Sequence, residues 1–142
     1  MFKKWICGFI LLTAFFTLGM GNMGDNALLN IPDPGENYSV TMIDQSDVSI
    51  DLEKFSMDGH TYVTGKFGKA DISVDFDRID SISFFSGDET LKCRLFLKDA
   101  KSIEILMEKH AVCFGTSAFG NIRIELRDIK QLQIHGKVLT SD

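Results

Sequence analysis

Several things are scarce in this chain, and each scarcity removes a class of function. Basic charge is short: 15 Lys and Arg stand against 20 Asp and Glu, a net charge of −5. An acidic chain is repelled by nucleic-acid phosphates and by anionic lipid headgroups, and no basic stripe with interleaved aromatics offsets this, so nucleic-acid binding is disfavoured and no nucleic-acid partner is expected. Long hydrophobic runs are missing too. The uncharged apolar run Trp5–Leu18 falls short of the ~20 residues needed to span ~30 Å of hydrocarbon.

Histidine and cysteine number three each, and none fall at the H-x₃₋₅-H or C-x₂-C spacings by which metal sites announce themselves. Catalytic motifs are missing as well. Gly115-Thr116-Ser117-Ala118 is followed by Phe119 rather than the glycine of a nucleophile elbow, and Gly65-Lys66-Phe67-Gly68-Lys69 lacks P-loop spacing. The expectation is a non-enzyme without cofactor or metal. Proline is limited to Pro32 and Pro34, both near the N-terminus.

What is present divides the chain in three. Lys3 and Lys4, then Trp5–Leu18, then Gly19-Met20-Gly21 follow the basic, apolar, small-residue order of a secretory signal peptide, predicted over residues 1–21. The alternative is an uncleaved anchor. Cleavage leaves 13 basic against 20 acidic residues, a net charge of −7, no stable membrane span, and an exported protein, periplasmic or secreted. Residues 22–37 are rich in Gly, Asn, Asp and Pro and read as a flexible arm, with Leu28, Leu29 and Ile31 as a small apolar latch.

Residues 38–142 read as one β-domain. Ile72, Val74 and Phe76 alternate with Ser73, Asp75 and Asp77, and the same beat recurs at Val48–Leu52, Leu91–Leu97 and Ile122–Leu126, the period-two signature of half-buried strands. No window of helical length shows a 3.6-residue period. Residues 99–108 contain helix formers, but the alternation of Ile103 and Ile105 favours a strand. Asp58-Gly59 predicts a hairpin between two strand-like runs.

The stretch DISVDFDRIDSISF at Asp71–Phe84 is echoed 50 residues later by NIRIELRDIKQLQI. Every apolar position of the first meets an apolar position of the second, from Ile72 on Ile122 to Phe84 on Ile134. The match extends upstream without gaps, to Phe55 on Ile105, Met57 on Met107 and His60 on His110. This predicts an internal duplication, residues 37–86 and 87–136, of about five strands each. One ~50-residue unit buries too little surface to be secure alone, so the expected architecture is an all-β, pseudo-twofold, antiparallel sandwich or small barrel of about ten strands.

The segments FGKADISVDFDRIDSI and AFGNIRIELRDIKQL resemble a repeated motif of small exported bacterial β-proteins of unknown function. That resemblance implies export and a β fold, and no catalytic residues.

The remaining candidates are specific. Cys93 and Cys113 are an even pair in an exported domain, so a disulfide is open; set against Ile43 and Val63 by the 50-residue match, they read equally as small buried hydrophobes. His60 and His110 are repeat equivalents that could meet across a twofold axis. Asp71, Asp75, Asp77 and Asp80 share a polar face that could hold Ca²⁺, although cross-strand pairing with Lys or Arg explains them better. Tyr62, Phe67, Phe85 and Phe119 are the candidate exposed aromatics of a binding surface. Phe67 and Phe119, each beside a loop glycine, are expected to plug the two ends of the core, so that Phe119→Ala would lower the melting temperature; the alternative is a symmetric contact surface. The functional expectation is an exported interaction or cell-envelope module, its partner another envelope protein; the alternative is a periplasmic binder of a small molecule or carbohydrate.

Overall fold

The computed structural model describes residues 29–85, 87 and 89–139; the predicted signal peptide and the start of the arm lie outside them. Ten strands are present among these residues: β1 (Tyr38–Asp44), β2 (Ser49–Met57), β3 (Tyr62–Phe67), β4 (Ala70–Asp75), β5 (Ile79–Phe85), β6 (Leu91–Leu97), β7 (Ser102–Met107), β8 (Val112–Ser117), β9 (Gly120–Glu125) and β10 (Ile129–Lys137). Single 3-10 turns, Phe76–Arg78 and Leu126–Asp128, join β4 to β5 and β9 to β10. The chain is all-β and antiparallel, as its period-two patterning requires, and the Ile103–Ile105 segment is strand β7.

All ten strands form one hydrogen-bonded sheet in the order β4-β3-β7-β6-β5-β10-β1-β2-β8-β9. The sheet is not closed. It curls around a single core instead: Phe55 on β2 and Tyr38 on β1 touch Phe76, in the turn between β4 and β5, with ring centroids 5.6 and 5.3 Å apart. Phe76 also begins the three-residue turn that joins β4, at one edge of the sheet, to β5 near its centre, and so short a link requires the sheet to curl. β-Bulges supply part of that curvature, and one interrupts β2 between Glu53 and Ser56, where Lys54 has φ 51°.

The strand order has an internal symmetry. Exchange each of β1–β5 with the strand five later, and the order reads the same from the opposite edge. The centre is the β5–β10 pair, where Ile82 faces Leu132, both fully buried. The two halves are interleaved in one sheet, not stacked as separate units. The Asp58-Gly59 turn forms as expected, with φ of 50° and 84° and paired bonds between Met57 and His60, a geometry that suits Asp-Gly. The strands it joins then part: β2 pairs with β8, and β3 with β7. The expected hairpin is therefore a tight turn between two different neighbours.

The crossings depend on small residues. A Cβ on Gly65 would sit 2.6 Å from the Leu106 carbonyl oxygen, and one on Gly115 would sit 3.0 Å from the Leu52 Cβ. Each glycine lets a hairpin of one half approach a strand of the other.

The 50-residue spacing holds from β3 to β5 against β8 to β10, for example Val63↔Val74 against Cys113↔Ile124. It fails upstream. There the pairs Val40↔Leu52 and Cys93↔Ile105 are related by 53 residues. Cys93 therefore corresponds to Val40 rather than Ile43, and Leu52, not Phe55, corresponds to Ile105. The extra residues of the first half are taken up between the bulge of β2 and the Asp58-Gly59 turn.

Phe119 does not plug the core. It occupies the tip of the β8–β9 turn, 98% exposed, and Phe67 at the end of β3 is 49% exposed. By strand pairing Phe119 corresponds to Lys69, since Phe67↔Ala70 matches Ser117↔Gly120. The positions that seal the core are Phe76 and Leu126, at the starts of the two 3-10 turns, both fully buried. Along a short strand, alternation alone does not separate a core phenylalanine from one at a turn tip.

Candidate functional site

The outer face of β10, β1, β2 and β8 carries a polar cleft of about 680 Å³, lined by Ser39, Thr41, Asp51, Leu52, Glu53, Thr116, Ser117, Ala118 and His135. Antiparallel register builds it. Thr41 on β1 lies opposite Asp51 on β2 and opposite Gln133 on β10, with His135 two residues further along β10. Because alternation sends Val40, Met42, Leu52 and Ile134 into the core, their neighbours Thr41, Asp51 and His135 must face outward.

These three side chains form a chain of hydrogen bonds. Thr41 Oγ1 donates to Asp51 Oδ1 at 2.8 Å, and His135 Nε2 lies 2.7 Å from Thr41 Oγ1. An ionised carboxylate only accepts, so the single hydroxyl proton points at Asp51; Nε2–H then donates to the hydroxyl oxygen. That order, imidazole to hydroxyl to carboxylate, is the wrong way round for a nucleophile. In a triad the imidazole takes the hydroxyl proton, whereas here it supplies one. The arrangement leaves a polar surface open, and among the described residues no Lys or Arg lines the cleft.

The sequence-predicted residues are dispersed. Tyr62 is half-buried and stacks on His60, with centroids 4.8 Å apart. Phe85 lies under Arg94, whose guanidinium carbon is 5.7 Å from its ring centroid, and borders a cleft with Gln45 and Lys130. Phe119 borders another with Val48, Ile50 and Ile122. Phe67 ends β3. His110 lies 3.6 Å from Glu125, which Arg127 also contacts at 2.7 Å.

Three members of the acidic face have side-chain partners among the described residues. Asp71 pairs with Lys66, Asp77 with Lys137 at 3.4 Å, and Asp80 accepts from Gln133 at 3.4 Å. The Tyr38 hydroxyl, and secondarily Lys137, hold the Asp77 carboxyl below the usual range. Among the described residues, no group of three or more His, Cys, Asp or Glu is placed to hold a metal ion.

The Cys93–Cys113 bridge is not formed. Both thiols are free and buried in the core, on β6 and β8, which are not neighbours in the sheet. Burial pushes the Cys93 thiol up to about 12, and it pushes Cys113 well above the usual thiol range, with Asp58 and Cys93 adding to the effect.

Sequence reasoning missed Thr41, Asp51 and His135. Alternation marks them as outward-facing, but only the pairing register places them side by side.

Two strands, β4 and β9, end the sheet, and among the described residues no further strand pairs with either. The class is thus an all-β domain of one curled, open-edged antiparallel sheet. The chain belongs to a family of uncharacterised proteins, whose family model matches residues 34–137. It is also similar to an uncharacterised protein of Aquifex aeolicus (strain VF5), 24% identical over 102 residues, covering 71% of this chain and 77% of that protein. No solved structure matches. No helix among the described residues is long and apolar enough to cross a membrane.

Proposed function

We propose that this chain is an exported interaction module of the cell envelope, which docks an extended segment of a partner protein along a free sheet edge. The supporting observation is the open sheet: β4 and β9 each have one row of backbone donors and acceptors that no strand among the described residues pairs, and of the two β4 is the freer, since the Asn121 side chain on β9 already donates to the Leu29 carbonyl at 3.0 Å. Such a row is a template for strand addition. Every residue of β4 except Ile72 and Val74 is exposed, so a partner strand can reach that edge. The Lys3–Gly21 pattern supports export.

The test is a photo-reactive residue placed in the full-length chain in cells, at Ser73 on β4, at Arg123 on β9, or at Gln131 on the sheet's centre. The edge reading expects one discrete adduct from an edge position and none from Gln131. Equal adducts from all three positions refute it. Fractionation and N-terminal mass analysis of the same cells test export, which an intact Met1 in the cytoplasm would overturn.

The polar cleft favours a second reading, a small-molecule binder. Its volume, four hydroxyls, two carboxylates and imidazole suit a polar ligand.

A further inference from the structure

The two halves place the same three positions together and fill them differently. In the second half, Arg94 on β6 lies opposite Glu104 on β7 and opposite Ser83 on β5, with Phe85 two residues further along β5. These match Thr41, Asp51, Gln133 and His135 strand for strand. There the guanidinium is held at 2.5 Å from Glu104 Oε1 and lies over the Phe85 ring. Cation, carboxylate and ring make a complete cationic nest, and Arg94 holds the Glu104 carboxyl below the usual range.

The first half keeps the carboxylate, Asp51, and keeps a flat ring, His135. It replaces the cation with Thr41, a side chain too short to fill the place. The cleft lies at this place, with Glu53 adding a second carboxylate to its wall and, among the described residues, no Lys or Arg lining it.

We infer that this cleft is a binding site for a guanidinium or primary-ammonium group, seated between Asp51, Glu53 and the His135 ring where the other half seats its own Arg94. A carboxylate facing a planar cation is a strong directional pair. The inference rests on the small-molecule reading of the cleft only for the space, and it is independent of the sheet edges. The cation has two possible bearers, a free amine and a side chain of a partner protein, and one experiment separates them.

The isotopically labelled full-length chain is titrated with agmatine, then with an extended peptide bearing one central Arg, followed by amide chemical shifts. Saturable shifts confined to residues around Thr41, Asp51, Thr116 and His135 are expected. Tighter binding of agmatine identifies a free amine; a peptide that binds more than tenfold tighter, and loses this when its Arg becomes citrulline, identifies a side chain.

Thr41→Arg supplies the cation from within, so it should abolish agmatine shifts while retaining the dispersed spectrum of a folded chain. Asp51→Asn should weaken binding at least tenfold, and Glu53→Gln more modestly. The inference is overturned if agmatine gives no saturable shifts, or if folded Thr41→Arg and Asp51→Asn chains bind it as well as the parent. Loss of sheet-edge adducts would leave this result unchanged, so the two readings fail separately.

Discussion

Replacing Phe76 with alanine should be among the most damaging single changes available to this domain. The ring is fully buried where the curled sheet meets itself, edge-on to Tyr38 and tilted against Phe55. Truncating a buried Phe to Ala costs ~3–5 kcal/mol, cavity included. Each lost aromatic pair adds ~0.5–1.5 kcal/mol where the geometry is favourable, part of which the truncation figure already contains. A loss of about 4 kcal/mol is a large share of the ~5–15 kcal/mol that holds a domain folded. At ~4–8 °C per kcal/mol for a domain near 100 residues, the melting temperature should fall by about 15–30 °C.

Phe119→Ala is the matched control. Its ring is 98% exposed, and surface changes stay within about ±0.5 kcal/mol, so its melt should move by less than about 4 °C. Far-ultraviolet circular dichroism on heating, repeated in urea, reads both. A Phe76→Ala melt within 4 °C of the parent, or a Phe119→Ala loss as large as that of Phe76→Ala, would refute the assignment of which phenylalanine seals the core.

Other expectations follow from the same packing. Gly65→Ala forces a Cβ against the Leu106 carbonyl at 2.6 Å, so it should cost ~1–3 kcal/mol; an unchanged urea midpoint would mean the β3–β7 crossing is looser than described. The buried Ser56 hydroxyl has no hydrogen-bond partner among the described residues, so Ser56→Ala should be neutral or stabilising by up to ~1–2 kcal/mol, and clear destabilisation would reveal a partner. Cys93 and Cys113, buried with raised pKa values, should resist a thiol reagent at neutral pH until denaturant is added; labelling of the folded chain within minutes would contradict their burial.

Asp77 has a depressed pKa in the folded state. Its contribution is therefore complete above the unfolded value of 3.8 and is lost as pH falls through the lower folded value. Asp77→Asn should flatten the stability curve below about pH 4, by less than ~1 kcal/mol for so exposed a group. An identical acid limb in both proteins would remove Asp77 from the account.

Much of this protein is legible in its sequence because strand alternation is a local property. Val40 and Met42, Leu91 to Leu95, and Ile122 and Ile124 announce strands and their inner faces without reference to anything distant. The Asp58-Gly59 turn announces itself because few other pairs adopt positive φ twice. The echo of Asp71–Phe84 in residues 121–134 marks the matching strands, and their 50-residue spacing survives in the pairing from β3 to β5.

Pairing itself is not local. Nothing at Met57 or Tyr62 says that β2 will leave the turn for β8 and β3 for β7; Gly65 and Gly115 permit those crossings, because each is small enough for a strand of the other half to pass. A gapless comparison of the halves hides the extra residues taken up near the β2 bulge, so it misplaces Cys93 and Phe55; Phe119 is misread for a different reason, since a loop glycine beside a phenylalanine occurs at both turns but at positions the pairing does not match. The cleft is hidden for the same reason. Thr41, Asp51 and His135 lie as many as 94 residues apart in the chain, and only the registers of β10, β1 and β2 bring a hydroxyl, a carboxylate and an imidazole within hydrogen-bonding reach. The sequence by itself determined the strands and which side of each is wet; the tertiary structure decided which wet sides meet, because contact across a sheet depends on partners chosen by packing far along the chain.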